Sequence, residues 1–303
     1  MPQVYDKVNV DIKPDWLKTN LHLKSDKTYA KVAQIVERHG VHTICESGRC
    51  PNRVECWNRR TATFMVMGDV CTRACKFCAT ATGKPLPLDA SEPQRVARSV
   101  GLMGLRHAVV TSVTRDDLSD GGAAHWAEVI RAVRETNPTA TVEVLIPDFG
   151  GDEALIDTVL EVGPHIVAHN LETVERLTPA VRSRASYAVS IKVLRHISSR
   201  CFVAKSGLMV GLGETPDEIF RAFDDLRAAG VAIVTLGQYL RPTLRHLPVA
   251  EYVTPEMFEF YKQEALARGF SHVASGPLVR SSYKAHEGAN RMGILNALDE
   301  AVD

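Results

Sequence analysis

Apolar runs of strand length alternate with amphipathic helical patterns over most of the chain. The strand-like runs occupy residues 61–67, 107–112, 141–146, 165–169, 204–210 and 231–236. The helical patterns lie around residues 92–104, 123–136, 152–162 and 216–229. Because near-continuous apolar strands separated by helices are typical of a parallel sheet covered by helices, the pattern predicts an α/β fold. These units, six in number, favour a partial (β/α)6 barrel over a complete eight-stranded one.

The two ends of the chain differ from this repeating centre. Residues 1–60 are polar and carry one helical pattern, from Thr28 to His39. We therefore expect an N-terminal extension laid over a barrel core at 61–269. In the C-terminal tail, 270–303, an apolar stretch at 270–279 predicts that the chain returns to that core.

Two of the predicted helices begin with a capping-box pattern. These are Ser91-Glu92-Pro93-Gln94 and Thr215-Pro216-Asp217-Glu218. In such a box the first side chain accepts a hydrogen bond from a backbone N–H of the first turn. Proline is tolerated there because its missing N–H would have no partner in the helix. We therefore expect a capped helix start at both positions.

In a parallel barrel, the loops that follow the carboxyl ends of the strands meet on one rim, where the chemistry of such folds lies. Four polar or glycine-rich segments follow predicted strands in this way. They are GDVCTRACKFC (68–78), TSVTRDDLSDGG (111–122), HNLET (169–173) and GLGET (211–215). We expect these four segments to converge.

The charge and composition exclude some classes of partner. The 303 residues include 36 Lys+Arg and 36 Asp+Glu, so a neutral chain gives no reason to expect a nucleic-acid or membrane-surface partner. The first residues lack the apolar core of a secretory signal, and no apolar run approaches the roughly 18 residues of a membrane span. We expect a cytoplasmic protein whose cysteines stay reduced. No heptad pattern is present, so a monomer is the default expectation.

The cysteines are the most informative residues. Six of the seven lie between Cys45 and Cys78, in two triplets with the spacings C-x4-C-x5-C and C-x3-C-x2-C. A structural zinc site is normally closed by four ligands, and a disulfide framework belongs to secreted proteins. A four-iron cluster held by three thiolates keeps one iron open for another ligand. The triplets therefore predict two [4Fe–4S] clusters, and the isolated Cys201 is interpreted as buried filler.

Two other classes remain open on the residues alone. His39 and His42 flank the first triplet and could complete a Cys3His zinc site in a binding module, although no matching histidine lies near the second triplet. A two-cluster electron-transfer protein is the other alternative, but it would need four cysteines for each cluster.

The second triplet resembles the signature of radical S-adenosylmethionine enzymes. Its loop, Cys71-Thr72-Arg73-Ala74-Cys75-Lys76-Phe77-Cys78, includes the aromatic residue before the last cysteine. With further segments, the chain resembles the lipoyl synthase family from about Trp16 to about Lys284. Those segments are CESGRCPNRVECW, TRDDLSDGGA, VEVLIPDF, HNLETV, GLGET, QYLRP and Arg280-Ser281-Ser282-Tyr283. A biotin-synthase-like enzyme would lack the first triplet and the final Arg-Ser-Ser-Tyr.

The resemblance implies a role for each cysteine of the triplets. Cys71, Cys75 and Cys78 would hold the catalytic reducing cluster, whose open iron binds S-adenosylmethionine. A second, auxiliary cluster would be held by a further set of residues, Cys45, Cys50, Cys56 and Ser282. A serine oxygen is a harder and poorer ligand for cluster iron than a thiolate. Ser282 would therefore mark the labile corner of a cluster that gives up sulfur in catalysis.

The resemblance also implies contacts to S-adenosylmethionine. Gly121 and Gly122 would approach its methionine end, Asn170 and Glu172 its ribose hydroxyls, and Arg195 its carboxylate. Further contacts would come from Phe77 and, around the adenosine, from Gly211 and Gly213.

The implied reaction inserts two sulfur atoms at C6 and C8 of an octanoyl chain on a carrier lysine. The carriers would be lipoyl domains of 2-oxoacid dehydrogenase subunits or the glycine-cleavage H protein. Ferredoxin or flavodoxin would supply electrons. An apolar tunnel is expected between the two clusters.

Overall fold

The computed structural model describes residues 12–18 and 27–295. Parts of the expected N-terminal extension and C-terminal tail therefore lie outside the described residues. The strands in chain order are β1 (His42–Thr43), β2 (Thr63–Val66), β3 (Val70–Cys71), β4 (Ala81–Thr82), β5 (His107–Ser112), β6 (Thr141–Leu145), β7 (Ile166–Ala168), β8 (Val203–Val210), β9 (Ile233–Gln238) and β10 (His272–Gly276). The helices are α1 (Lys27–Arg38), α2 (Ile44–Ser47), α3 (Arg53–Asn58), α4 (Glu92–Met103), α5 (Ala123–Thr136), α6 (Glu153–Leu160), α7 (Thr178–Val181), α8 (Tyr187–Ser199), α9 (Pro216–Ala228), α10 (Pro255–Ala267) and α11 (Ala285–Arg291). Short 3-10 turns occupy Asp15–Leu17, Phe149–Gly151 and Glu175–Leu177.

The main sheet has the strand order β1-β2-β5-β6-β7-β8-β9-β10. All neighbours from β2 to β10 are parallel, and β1 alone runs antiparallel, pairing His42 with Met65. Each crossover between parallel strands carries helix, which confirms the predicted partial α/β barrel. The apolar stretch at 270–279 contains β10, so the tail adds a seventh parallel strand beside β9.

Burial explains why these strands read as continuous apolar runs. All four residues of β2 and all six of β9 are buried, since one face meets the barrel interior and the other meets the helices. The N-terminal segment shares this core, because Val32, Val36 and Trp57 belong to the same hydrophobic cluster as the barrel residues. Among the described residues, no helix is both long enough and apolar enough to cross a membrane.

Helix α11 closes the amino ends of the strands. Ala289 on this helix and Leu295 beyond it form a small buried cluster with Ile166 and Ile233, at the start of β7 and β9. The contacts of Ala289 and Leu295 thus hold the end of the described tail beneath the barrel. The barrel interior therefore opens on the opposite rim, where the four predicted segments lie.

The capping predictions had different outcomes. Thr215 forms the predicted box, since its hydroxyl accepts from the Glu218 N–H and the Glu218 carboxylate accepts from the Thr215 N–H. The prediction for Ser91 is wrong. Its hydroxyl donates to Asp89 at 2.7 Å and makes no cap, because Ser91 itself has right-handed helical backbone angles.

Helices α8 and α10 were not predicted. The sequence of α8 is rich in β-branched residues, which resemble a strand. In α10, apolar residues such as Met257, Phe258 and Phe260 fall on several faces, so the helical period is weak.

Candidate functional site

The second cysteine triplet lies on a loop that four other segments hold in place. Cys71 ends β3, which pairs with β4, and Cys75 and Cys78 lie between these two strands. Backbone hydrogen bonds tie the loop to its neighbours: Thr72 N–H donates to Thr114, Lys76 N–H donates to Val181, and Leu247 N–H donates to Lys76. The loops after β5, β7 and β9 thus fix the triplet at the carboxyl rim. The segments after β5 and β7 were predicted to meet there, whereas the predicted segment GLGET (211–215) does not line the cavity at this rim.

Arg73, inside the triplet, makes a second link to the loop after β5 and joins a fourth loop, the one after β6. Its guanidinium donates to Asp116 after β5 and to Asp148 after β6, with Nη2–Oδ1 of 2.8 Å and Nη1–Oδ2 of 2.6 Å. Hydrogen bonds from Arg73 hold the pKa of Asp148 below its usual range despite the opposing effect of burial. This double ion pair fixes the cysteine loop against the barrel.

The first triplet is built on two short helices beside β2. Cys45 lies in α2, Cys56 in α3, and Cys50 between them, with its N–H donating to the Cys45 carbonyl. Burial raises the pKa of the Cys45 thiol, and the Thr63 backbone opposes this effect. Burial, followed by the nearness of Cys45 and Cys50, raises the pKa of Cys56 to about 12. Of the three cysteines, Cys45 and Cys50 line a cavity of the barrel and Cys56 does not.

The C-terminal tail contacts this same triplet region. The Asn52 side chain donates to the Leu278 carbonyl at 2.7 Å, and the Tyr283 hydroxyl donates to Glu55 at 3.1 Å. Between these contacts, the Thr63 hydroxyl donates to the Ser282 hydroxyl oxygen at 2.8 Å. Ser282 is therefore held beside β2, in the same region as the first triplet.

Gly237 allows the tail to approach the barrel this closely. A Cβ atom at this position would overlap the backbone carbonyl of Val279 and would lie 3.4 Å from the Arg280 Nη1. Because Gly237 has no side chain, Val279 and Arg280 can lie against strand β9 at this position.

One cavity of about 540 Å³ connects the two cysteine groups. Its walls include Cys45, Cys50 and Ser282 at one end and Cys71, Cys75 and Cys78 at the other. The lining between them includes alternate residues of five strands, namely Thr63, Met65, Val109, Thr111, Glu143, Leu145, Gly207, Met209, Thr235 and Gly237. Because alternate side chains of a strand share one face, this cavity is the barrel interior.

Asn170 and Glu172 both line the cavity beside the second triplet. The Asn170 amide donates to the Glu172 carboxylate at 3.1 Å, while its Oδ1 is buried and has no hydrogen-bond partner among the described residues. Glu172 has a φ of +66°, a costly backbone conformation for a residue with a side chain. Burial raises the pKa of Glu172, although Arg182 opposes this effect. The unpaired acceptor of Asn170 and the carboxylate of Glu172, which a strained backbone holds toward the cavity, suit a ligand that bears hydroxyl groups.

The predicted cofactor contacts separate into two groups. Phe77, Asn170 and Glu172 line the cavity. The other predicted contacts do not line it, namely Gly121, Gly122, Gly211, Gly213 and Arg195.

These five residues have other surroundings. Gly121 and Gly122 lie at the start of α5 with positive φ, against Phe149 and Met67. Gly211 packs on Gln238, and Gly213 is exposed beyond it. Arg195 is exposed on α8. Their assignment to the cofactor continues to rest on the sequence resemblance.

The interpretation of Cys201 as buried filler is wrong. Cys201 is exposed, with a φ of +62°, in the turn that follows α8. The tight reversal between α8 and β8 turns it away from the core.

The donor chemistry of both triplets fits iron–sulfur clusters. Each offers three sulfur atoms, and burial raises the pKa of Cys75 to about 11 against the opposing charge of Arg182. Thiols that keep their protons in the free protein lose them when iron binds. Within residues 12–18 and 27–295, no three His, Cys, Asp or Glu side chains converge as they would on a single metal ion. A four-iron cluster spaces its ligands more widely, so three-thiolate ligation does not require that convergence.

Three residues at the site were not singled out from the sequence. Thr63 contacts Ser282, Arg73 pairs with two aspartates, and Arg280 lines the cavity. Thr63 carried a weak signal, since it is a polar residue at the start of an otherwise apolar strand. Arg73 and Arg280 lie within recognised motifs, but their partners are distant in sequence.

Comparison with known proteins agrees with this geometry. The Radical SAM superfamily model matches residues 65–226. The lipoyl synthase of Parabacteroides distasonis is 57% identical over 275 residues, covering 91% of this chain and 97% of that protein. The lipoyl synthase of Symbiobacterium thermophilum is 55% identical over 288 residues, covering 93% and 88%.

Solved structures support the fold. Methylornithine synthase superposes with a TM-score of 0.54 at 13% identity, covering 94% of this chain and 90% of that one. A maturase of the [FeFe]-hydrogenase gives a TM-score of 0.54 at 13% identity, covering 96% and 79%. The superfamily uses S-adenosylmethionine and a [4Fe–4S] cluster. From the matched residues and the identity to its relatives, the chain belongs to the lipoyl synthase family of radical S-adenosylmethionine enzymes.

Proposed function

We propose that the enzyme inserts sulfur at C6 and C8 of an octanoyl chain linked to a lysine of a carrier domain. Family membership supports the reaction class. The observation that carries the assignment to residues is the single cavity that both cysteine groups line. A substrate carbon in this cavity can face one cysteine group and then the other without leaving the barrel.

Cys71, Cys75 and Cys78 hold the reducing cluster at the carboxyl rim. Their support is the loop geometry, because four segments fix the loop and the three thiols approach one another. The auxiliary cluster is held by Cys45, Cys50, Cys56 and Ser282. Its support is the contact of the tail with α3 and β2, which brings a residue 226 positions after Cys56 beside the first triplet.

When bound, the two clusters and S-adenosylmethionine supply a carbon-centred radical and the sulfur that replaces the abstracted hydrogens. The chain supplies the binding site and its geometry. Met65, Val109 and Leu145 give the octanoyl chain an apolar lining. The four residues of β2 span roughly 10 Å along the barrel, which is comparable to an extended eight-carbon chain.

Asn170 and Glu172 bind the ribose hydroxyls of S-adenosylmethionine. The free acceptor on Asn170 and the buried carboxylate of Glu172 support this role. Phe77, Gly121, Gly122, Arg195, Gly211 and Gly213 remain proposed cofactor contacts on the resemblance.

The regional division follows the same roles. Residues 1–60 carry the auxiliary cysteines, residues 61–269 form the barrel core, and residues 270–303 supply Ser282.

The carrier partners are lipoyl domains of 2-oxoacid dehydrogenase subunits or the glycine-cleavage H protein. Ferredoxin or flavodoxin provides electrons, and the enzyme acts as a monomer in the cytoplasm.

The test is an anaerobic reaction of the reconstituted enzyme with S-adenosylmethionine, dithionite and an octanoyl-lysine carrier peptide. We expect mass spectrometry to show a peptide that has gained two sulfur atoms, with two 5′-deoxyadenosine molecules formed for each product. Dethiobiotin is the matched control substrate and should gain no sulfur. Sulfur insertion into dethiobiotin, with none into the peptide, would contradict the proposal.

A further inference from the structure

Thr63 contacts one residue assigned to the auxiliary cluster and lies beside another. Its hydroxyl donates to Ser282 Oγ at 2.8 Å, and it lines the same cavity as Cys45. Thr63 is 5% exposed and begins β2, where pairing with Val109 on β5 fixes its backbone. A rigid strand residue therefore contacts the tail beside the first triplet.

Within the described part of the tail, no residue forms a hydrogen bond with the Ser282 side chain. Asn52 and Tyr283 hold the segment on either side through Leu278 and Glu55. Those contacts fix the path of the backbone, whereas the contact from Thr63 reaches the Ser282 side chain. The neighbouring Ser281 also lines the cavity, so the path of the tail alone leaves either serine near the triplet.

The direction of the hydrogen bond matters for ligation. Each hydroxyl can donate or accept, and Thr63 Oγ1 can donate across this 2.8 Å contact while the Ser282 hydroxyl hydrogen points elsewhere. The Ser282 oxygen can therefore lose that hydrogen and bind iron while it continues to accept from Thr63. Partners that hydrogen-bond to a metal ligand orient it, and their removal typically lowers metal affinity roughly 10- to 100-fold.

We infer that Thr63 is a positioning residue that aims the Ser282 oxygen at the auxiliary cluster and selects Ser282 over Ser281 as its fourth ligand. This inference rests on the proposed function, because it requires that Ser282 bind cluster iron. Thr63 is not assigned as an iron ligand. Its effect passes through Ser282.

The experiment measures iron release from the auxiliary cluster in the reconstituted enzyme. A chelator is added anaerobically, and Mössbauer spectra follow the oxygen-ligated iron site in a Cys75→Ala background, which removes the reducing cluster. We expect Thr63→Val to release the labile iron about 10-fold faster, as Ser282→Ala does, and to lose that spectral site. Thr63→Ser restores the hydroxyl and should behave as the unaltered enzyme does.

Two controls separate positioning from folding. Thr111→Val removes another cavity hydroxyl, which donates to the Leu145 carbonyl, and it should leave iron release unchanged. The double variant Thr63→Val/Ser282→Ala should release iron no faster than Ser282→Ala alone. The reason is that Thr63 acts only through the Ser282 oxygen, which the second substitution already removes. Circular dichroism before and after reconstitution checks that each variant is folded.

The failures are distinguishable. If Ser282→Ala accelerates iron release and Thr63→Val does not, the positioning role is overturned while the proposed function stands. If neither changes iron release, the assignment of Ser282 as a ligand fails, and the inference fails with it.

Discussion

The Arg73 guanidinium meets the Asp148 carboxylate with two parallel hydrogen bonds, Nη1–Oδ2 of 2.6 Å and Nη2–Oδ1 of 2.9 Å. Arg73 lies between the first two cysteines of the rim loop, and Asp148 follows β6. The Asp148 side chain is 4% exposed, so the pair is largely removed from water. A loop that binds a cluster at its open edge is thereby fixed to the barrel wall.

Replacement of Arg73 by Gln should destabilise the folded enzyme by about 3 kcal/mol, because it leaves the buried Asp148 carboxylate without its partner. Urea unfolding of the reconstituted protein, followed by circular dichroism, measures this loss. The double variant Arg73→Gln/Asp148→Asn should lose less than the sum of the two single variants.

Arg176→Gln is the control for this prediction. Arg176 pairs with Glu218 through two similar hydrogen bonds, but its side chain is 55% exposed. An exposed pair contributes under about 1 kcal/mol. Equal losses from Arg73→Gln and Arg176→Gln would contradict the role given to the buried pair.

Gly207→Ala should weaken binding of S-adenosylmethionine. A Cβ on Gly207 would lie 2.9 Å from Asn170 Oδ1 and 2.7 Å from Thr235 Oγ1, so Asn170 must move. The loss of a hydrogen bond to a buried acceptor corresponds to roughly 10-fold weaker binding. Isothermal titration of the reconstituted enzyme checks the prediction.

The matched control is Gly288→Ala in α11. There the added Cβ meets the His272 and Ile233 side chains at 3.4 Å, far from Asn170 in the fold. Unchanged affinity in Gly207→Ala, with Asn170 displaced from its original position, would remove Asn170 from the cofactor site.

Ser282→Cys should make the auxiliary cluster more resistant to chelators and a poorer sulfur donor. A thiolate holds iron more firmly than a serine oxygen, so release of that iron becomes slower. Product analysis by mass spectrometry should show a large fall in sulfur insertion, while 5′-deoxyadenosine still forms. Ser281→Cys is the control, and equal effects from both variants would argue against a specific role for Ser282.

The strand pattern predicted most of the fold, and the cysteine spacing indicated most of the candidate site. Helix α5 occupies the residues predicted for it, 123–136. It could be predicted because its apolar residues recur with a clear helical period and lie on one face. Helix α10 lacks that period and was missed. The pattern of β2 predicted a strand, but the polar character of its first residue, Thr63, was only a weak signal and did not indicate its partner.

Relations across the barrel could not be derived in this way. Thr63 and Ser282 are 219 positions apart, and the path of the tail over Gly237 decides their contact. Likewise, Arg73 meets Asp148 after a separation of 75 positions. Such pairs depend on which loops converge, which becomes visible only after the strand order is known.

Separation of the two half-reactions tests the central claim most directly. The measurement is the yield of 5′-deoxyadenosine and of sulfur-containing peptide from reconstituted Cys50→Ala and Cys75→Ala, with Cys201→Ala as the control. Cys50→Ala should form 5′-deoxyadenosine and transfer no sulfur, because it affects the cysteine group at the far end of the cavity. Cys75→Ala should form neither product, and Cys201→Ala should form both. Lipoyl product from Cys50→Ala at the rate of the unaltered enzyme, or normal 5′-deoxyadenosine from Cys75→Ala, would contradict the assignment of two clusters to the two cysteine groups.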